Sequence, residues 1–455
     1  MQPKKSFTLC LFTVFFTLNP IPAWAWDSLP SSFITPLNVI IFALILLLPV
    51  LYFKDHIRVK LAKKLYKQHI EIRDKIWDIH LLDEATQEQR ELLSDANRLY
   101  QKLNWIGVPY DSYDFVNMAK CEFFEGNYSK AIKHLDKAIS IPNNIQANIS
   151  YCKGIVLSNL NRHKEAIDAF NSAMVLDTGY SAAAILKGKE LVALEQYDDA
   201  IKTFKSALET DNPDPAAFFN LASIYSDKGS HQKAVELYRE VLELEPDNSY
   251  ALENMGIELR ELELFDDSID AFNRLIELEP KQYQGYVNNA IVLCYKNSLE
   301  EAIVHFDKAI ELAPDIPRIH FNKGLALQKL ERFDESIPSF SAELKIDSND
   351  YETLAARAFS FLRLNKYEEA FNDCNESLSI KKDYPMALYN RACAYALTGE
   401  ESNALSDIKS SIELDDTNKC FARADEDFAS LRDDPEFRQL VGLDEEVGAE
   451  DADSP

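Results

Sequence analysis

Asparagine recurs at intervals of 34 residues in the middle of the chain, at Asn220, Asn254, Asn288 and Asn322. A side-chain amide donates and accepts hydrogen bonds at the same time, so it can bind the backbone of another polypeptide without reading its sequence. Asparagine is also a mediocre helix former, because its amide competes with the backbone for partners. Helix propensity therefore does not explain why asparagine recurs at this interval.

No metal, nucleotide or nucleophile motif accompanies these asparagines. The eight histidines are scattered, and neither an H-E-x-x-H sequence nor a glycine-rich phosphate loop occurs. Beyond Cys10, six cysteines show no C-x-x-C pairing, which predicts free, mostly buried thiols. A net charge of −27 argues against a general nucleic-acid binder. We therefore predict no catalytic residue, no metal site and no cofactor.

The asparagines belong to a longer frame with the same period. A small residue lies in the middle of each unit, at Ala131, Ala166, Ala200, Ala234, Ser268, Ala302, Ser336, Ala370 and Ala404. Four residues later comes a large or apolar side chain such as Phe170 or Phe272, and twelve residues earlier comes glycine or alanine, as at Gly154 and Gly256. A fixed period of this length indicates stacked helical repeats, in which small residues let neighbouring helices approach closely.

This pattern resembles the tetratricopeptide repeat (TPR). The resemblance implies an all-α, right-handed superhelical solenoid of about nine helix-turn-helix repeats over residues 112–418. Neighbouring repeats would stack because no unit can bury its apolar face alone. The concave inner face would be built mainly from the first helix of each repeat.

The resemblance also assigns a role to the asparagines. With the central small residue numbered 20, they occupy position 6, as do Asn117 and Asn390. In TPR proteins that bind extended peptides, asparagine at this position lines the groove, so the six are predicted to bind peptide, with Asn117 and Asn390 as outliers. The alternative is that asparagine is simply common here and caps or solvates the turn. Four cations could add positive charge to the face: Arg260, Arg318, Lys329 and Arg363.

The N-terminal residues predict export and membrane anchoring. Residues 1–25 have a basic start, a short apolar run and an Ala23-Trp24-Ala25 cleavage sequence, as in a signal peptide. An uncleaved first membrane segment is the alternative. Residues 34–53 carry no charge and are long enough to cross a bilayer. The basic residues that follow predict that the rest of the protein faces the cytoplasm: Lys54, Arg58, Lys60, Lys63, Lys64 and Lys67.

The segments that flank the repeats have their own predictions. Residues 54–106 combine the basic juxtamembrane stretch with two amphipathic helices, which could form a stalk, a short coiled coil or a cap. Residues 419–443 resemble the end-of-array segment of many bacterial TPR proteins and predict a capping helix. Residues 444–455 are small and acidic, which is typical of a disordered tail.

Together, these predictions describe a scaffold or adaptor protein that is anchored in the bacterial inner membrane and crosses it once. It would bind a protein or extended peptide in a groove on the cytoplasmic side. Two alternatives stay open: a structural or self-association module of an envelope complex, and a regulatory subunit of a membrane enzyme. A chaperone clamp is disfavoured, because position 5 holds no lysine in any repeat.

Overall fold

The computed structural model describes residues 60–82, 84–106, 108–209 and 212–443, and these residues contain helices and no strand. The predicted signal peptide at 1–25, the predicted membrane span at 34–53 and the predicted tail at 444–455 lie outside them. Among the described helices, none is both long enough and apolar enough to cross a membrane.

The described residues divide into two compact units, one that ends at Glu190 and one that begins at Leu191. In the first unit the helices are α1 (residues 60–77), α2 (Gln87–Ile106), α3 (Ser112–Phe124), α4 (Tyr128–Ser140), α5 (Gln146–Asn159) and α6 (His163–Leu176). The boundary between the units falls within α7 (Ser181–Ala193).

The second unit continues the alternation of helices. It contains α8 (Tyr197–Leu208), α9 (Pro215–Asp227), α10 (His231–Leu244), α11 (Ser249–Glu261), α12 (Phe265–Leu278), α13 (Tyr283–Tyr295), α14 (Leu299–Leu312), α15 (Ile319–Lys329), α16 (Phe333–Ile346), α17 (Tyr351–Arg363), α18 (Tyr367–Ile380), α19 (Pro385–Thr398) and α20 (Glu401–Leu414). A C-terminal segment follows with α21 (Thr417–Ala424), a 3-10 turn (Glu426–Leu431) and α22 (Pro435–Val441).

From α3 to α20 the helices follow the 34-residue frame, two to each repeat. The turn between them holds one residue with positive φ in every repeat: Gly126, Asn161, Glu195, Gly229, Glu263, Asn297, Glu331, Asn365 and Gly399. This left-handed conformation ends the first helix and reverses the backbone direction. Only glycine adopts this conformation without steric cost. The other six turns, which carry asparagine or glutamate, therefore have some local strain in the backbone.

A close contact between a glycine and a phenyl ring joins the two helices of several repeats. A Cβ atom added at Gly154 would lie 2.4 Å from the ring of Phe170, and one at Gly256 would lie 2.6 Å from the ring of Phe272. Both rings are fully buried. The small residue of the first helix and the aromatic residue of the second therefore pack as one pair, which fixes how closely the helices approach.

Helices α1 and α2 pack against each other and on the first repeat. Leu65 of α1 lies in a buried cluster with Leu99 and Leu103 of α2, and Ile76 shares another cluster with Met118 of α3. The described residues of α1 and α2 thus cover the first repeat, and we call them the N-terminal cap.

The C-terminal segment covers the last repeat in the same way. Phe428, Leu431 and Phe437 are fully buried and pack with Ile408 and other residues of the last repeats. Phe428 and Leu431 belong to the 3-10 turn and Phe437 belongs to α22.

Replacing Gly154 with alanine tests the glycine–phenyl pair. The added methyl group would overlap the buried Phe170 ring, so we expect the free energy of unfolding to fall by about 1–3 kcal/mol, measured by urea denaturation. Gly179→Ala is the matched control in the same unit, because its nearest atom would be 3.6 Å away. Equal unfolding midpoints for the two variants would contradict the role of the contact.

Candidate functional site

The asparagines at position 6 lie on the first helices of their repeats. Asn254, Asn288 and Asn322 are on α11, α13 and α15, and these first helices contact one another in succession along the second unit. The structure therefore places them along one face, which we call the first-helix face. Their hydrogen bonds divide the six asparagines into three groups.

Three of the asparagines bind the helix that precedes their own first helix on the same face, and for two of them it is the first helix of the preceding repeat. The amide of Asn390 donates to the carbonyl of Ala355 at 2.9 Å, and that of Asn288 donates to the Glu253 carboxylate at 3.2 Å. Ala355 and Glu253 each lie 35 residues earlier, at position 5 of the preceding repeat. These bonds join consecutive first helices.

Asn117 makes the equivalent bond to the N-terminal cap. Its amide donates to the carbonyl of Arg73 in α1 at 3.0 Å, and its side chain is fully buried. Asn390 is only 2% exposed. Both side chains are therefore covered by other parts of the same protein, and neither is open to a ligand in this structure.

Asn220 and Asn254 bind the backbone of their own helices. Their amides donate to the carbonyls four residues earlier, in Ala216 at 2.6 Å and Tyr250 at 2.7 Å. Each amide oxygen remains for a donor on a ligand. Local side-chain to backbone bonds of this kind are common for asparagine in helices.

Asn322 differs from the others, because its side chain makes no hydrogen bond within the described residues. Its helix, α15, begins only at Ile319, so Asn322 lies in the first turn rather than the second. The carbonyl four residues earlier belongs to Arg318, which has a φ of 74° and accepts the backbone N–H of Asn322 at 3.0 Å.

The late start of α15 has a structural cause in the second helix of the same repeat. The buried carboxylate of Glu343 accepts the backbone N–H of Arg318 at 2.6 Å and that of Phe321 at 3.2 Å. It thereby caps the helix from outside its own sequence, since the first N–H groups of a helix have no helical partner.

Asn322 lines a pocket of about 260 Å³ between α13 and α15. The other lining side chains are Ile291, Cys294, Tyr295, Phe306, Leu325, Ala326 and Lys329. Small-molecule sites are usually about 300–1,000 Å³ and more enclosed, so this pocket better fits one or two side chains of a partner. Burial raises the pKa of the Cys294 thiol above its ordinary value, and the charge of Lys329 acts in the opposite direction.

The four predicted groove cations have different partners. Arg260 binds Glu261 at 2.6 Å, and Arg318 binds Asp350 and Glu352 of the next repeat. Arg363 pairs with Asp427 in the C-terminal segment. Lys329 is exposed and makes no ion pair in the part of the protein that the structure describes. It is the one of the four that remains available to a ligand anion.

Cys294 and Tyr295 are among the pocket residues that sequence reasoning did not predict as part of a binding site. Both belong to the first helix of repeat 6, and Tyr295 is 66% exposed. Their frame positions, 12 and 13, carry no recurring residue type, so the sequence held no signal for them.

One group of described residues lies close enough together to hold a metal ion, namely Cys393, Asp425 and Asp427. Its carboxylates already have partners, because Tyr389 donates to Asp425 at 2.9 Å and Arg363 pairs with Asp427. These contacts join the C-terminal segment to the last repeats, which gives the group a structural role.

Comparison with known proteins identifies the repeat. Family models described as tetratricopeptide repeat match residues 185–249 and 317–350, and one described as TPR repeat matches residues 290–331. A search of curated proteins gives no match.

Several solved structures are similar to part of the protein. YrrB, described as a TPR protein with an unusual peptide-binding site, is 24% identical over 43% of this sequence and 97% of its own, with a TM-score of 0.37. A tetratricopeptide repeat protein from Parabacteroides merdae is 19% identical over 58% of this sequence and 98% of its own, with a TM-score of 0.43. MamA is 16% identical over 37% of this sequence and 92% of its own, with a TM-score of 0.35.

The hydrogen bonds of the asparagines predict different effects on stability. Asn390→Ala removes a buried hydrogen bond between two first helices and leaves a small cavity, so we expect a loss of about 1–3 kcal/mol in the free energy of unfolding. Asn322→Ala removes no bond and should change it by less than about 0.5 kcal/mol. Urea denaturation of both variants measures the difference, and equal losses would show that the division is wrong.

Proposed function

The chain belongs to the tetratricopeptide repeat family, and from that premise we propose that it is a scaffold that binds a protein or extended peptide on the first-helix face. The observation that carries the proposal is a pair of side chains beside one pocket, Asn322 and Lys329, which have no side-chain hydrogen bond and no ion pair, respectively, to any residue that the structure describes. Elsewhere on this face the predicted residues are bonded within the protein.

The pocket supports a binding mechanism without chemistry. The Asn322 amide would bond to the backbone of an extended partner, which accepts and donates in the same way. Ile291 and Leu325 would contact an apolar side chain in the pocket, and Lys329 would pair with a carboxylate. The amide oxygens of Asn220 and Asn254 could bind further backbone donors along the face.

The overall charge restricts the partner. A protein with a net charge of −27 repels a strongly acidic ligand at long range. At physiological salt this repulsion is screened beyond roughly 8 Å, whereas the contact with Lys329 is direct. A partner segment with one carboxylate, such as the free C-terminus of a peptide, and otherwise apolar side chains fits both conditions.

The location proposed for the scaffold rests on the sequence. Residues 34–53 would cross the inner membrane once, and the basic residues after them would hold the repeats on the cytoplasmic side. The anchor would then localise the protein while the repeats select the partner.

Selection from a random peptide library tests the binding face. Peptides selected on the intact protein should carry an apolar residue near a carboxylate, and Lys329→Glu should weaken their binding by about tenfold or more. Asn322→Ala should also weaken it. Lys345→Glu is the control, because this exposed lysine lies on the second helix α16. Selected peptides that bind the Lys329 and Lys345 variants equally would refute the proposed face.

A reporter fused after residue 455 tests the topology. A reporter active only in the cytoplasm should be active, and one active only in the periplasm should be inactive, because the basic flank is retained on the inner side. The reverse pattern would overturn the proposed location without affecting the binding face.

A further inference from the structure

The first two turns of α1 carry four lysines on one side. Lys60, Lys63, Lys64 and Lys67 are spaced like residues on one face of a helix with about 3.6 residues per turn, and all four are exposed. The opposite side, with Leu65 and His69, is buried against the rest of the cap. The lysines therefore point away from the packed side of the helix. We call them the lysine stripe.

The lysine stripe has no acidic partner among the described residues. Within the described residues none of its four members makes an ion pair, although the protein has an excess of carboxylates. Some other lysines do form an ion pair, such as Lys228 with Asp198 at 2.9 Å. Farther along the same side of α1 the charges are mixed, with Glu71, Asp74 and Lys75. The stretch of lysines without an acidic residue among them is thus confined to the N-terminal end of α1.

Exposed apolar side chains surround the same end of the cap. Tyr66 is 50% exposed and Leu61 is 39% exposed. Trp105 is 78% exposed, next to Ile106, which packs in the same buried cluster as Leu65. Aromatic side chains with lysines beside them are typical of the membrane–water interface.

The lysine stripe is fixed to the first repeat by bonds at the other end of α1. His69 binds Asp114 of α3 at 2.7 Å, and Arg73 binds Asp111 at 3.0 Å. Lys120 of α3 donates to the carbonyl of Trp77 at 2.6 Å. Burial alone would raise the pKa of Asp114, but the hydrogen bonds from His69 and the backbone and the charge of Arg73 hold it below its ordinary value.

We propose that the lysine stripe and Trp105 form a binding face for an anionic lipid surface, which holds the first repeat directly against the membrane. The proposal rests on the proposed anchor, because only six residues separate Phe53 from Lys60. A fully extended segment of that length spans at most roughly 25 Å, so the lysine stripe must stay near the headgroups. The first repeat would thus be held in one orientation.

Lipid fits this face better than nucleic acid does. The net charge of −27 repels a polyanion in solution, whereas the anchor would bring lipid headgroups to the lysines regardless of the overall charge. The exposed Trp105 and Tyr66 rings also fit the interfacial layer of a bilayer, where one side of the ring is apolar and the other is hydrated.

The experiment uses the full-length protein reconstituted into vesicles. One set contains phosphatidylcholine alone, and the other contains phosphatidylcholine with phosphatidylglycerol. Lysine acetylation and oxidation of Trp105 by hydroxyl radicals are followed by mass spectrometry. In the anionic vesicles each lysine of the stripe should be acetylated roughly five-fold more slowly, and high salt should remove the difference. Trp105 should be oxidised more slowly as well.

A charge-matched pair of variants identifies the lysines responsible. Changing Lys60, Lys63, Lys64 and Lys67 to glutamine should abolish the protection of Trp105 by anionic lipid. The control changes four other exposed, unpaired lysines to glutamine and should leave the protection intact: Lys133, Lys164, Lys189 and Lys205. All of these side chains are exposed, so both variants should keep the helicity of the parent protein.

The outcomes separate this inference from the proposed anchor. A protein that resists carbonate extraction but shows equal acetylation in both vesicle types would overturn the lipid-binding face alone. Release by carbonate would overturn the anchor. If a DNA oligonucleotide protects the lysine stripe in detergent solution and anionic vesicles do not, the face binds nucleic acid and the proposal is wrong.

Discussion

The close approach of two helices within each repeat is the constraint on which the rest of the structure depends. At Gly256 the ring of Phe272 occupies the space of a side chain, and the hydroxyl of Ser268 donates to the Gly256 carbonyl at 2.6 Å. Such contacts allow little variation in the position of the first helix. Residues 34 apart therefore recur at equivalent places on one face, so the surface offered to a partner follows from the packing.

The fold could be predicted from the sequence because its signals are local. The small and large residues four apart mark the second helix of each repeat, and the family that they suggested is confirmed. The environments of the asparagines could not be predicted in this way. The bond made by Asn288 depends on Glu253, 35 residues earlier, and the free amide of Asn322 depends on Glu343, which caps α15 from the following helix. Neither contact involves a residue type that recurs at the same position of every repeat, so the sequence pattern does not predict it.

The two ends of the repeat array occupy two of the predicted site residues, Asn117 and Arg363. Lys120 binds the last carbonyls of α1, which have no helical partner, and Asn117 binds another carbonyl of the same helix. At the C-terminal end, Arg363 and Tyr389 bind the two aspartates Asp427 and Asp425. The first and last repeats must be covered by segments with a polar outer surface. Polar side chains that could otherwise bind a ligand therefore hold these covering segments in place.

The polar contacts between repeats also show why a single repeat can differ from its neighbours. Glu258 accepts hydrogen bonds from Ser226 and His231 of the preceding repeat, and Glu190 makes the same contacts 68 residues earlier, with Ser158 and His163. At the same position the intervening repeat carries buried Ile224, and the repeat after Glu258 carries buried Val292. A buried carboxylate adds little net stability but requires matching partners. Since each repeat mainly contacts its neighbours, a local change such as the displaced start of α15 can open one site without disturbing the frame.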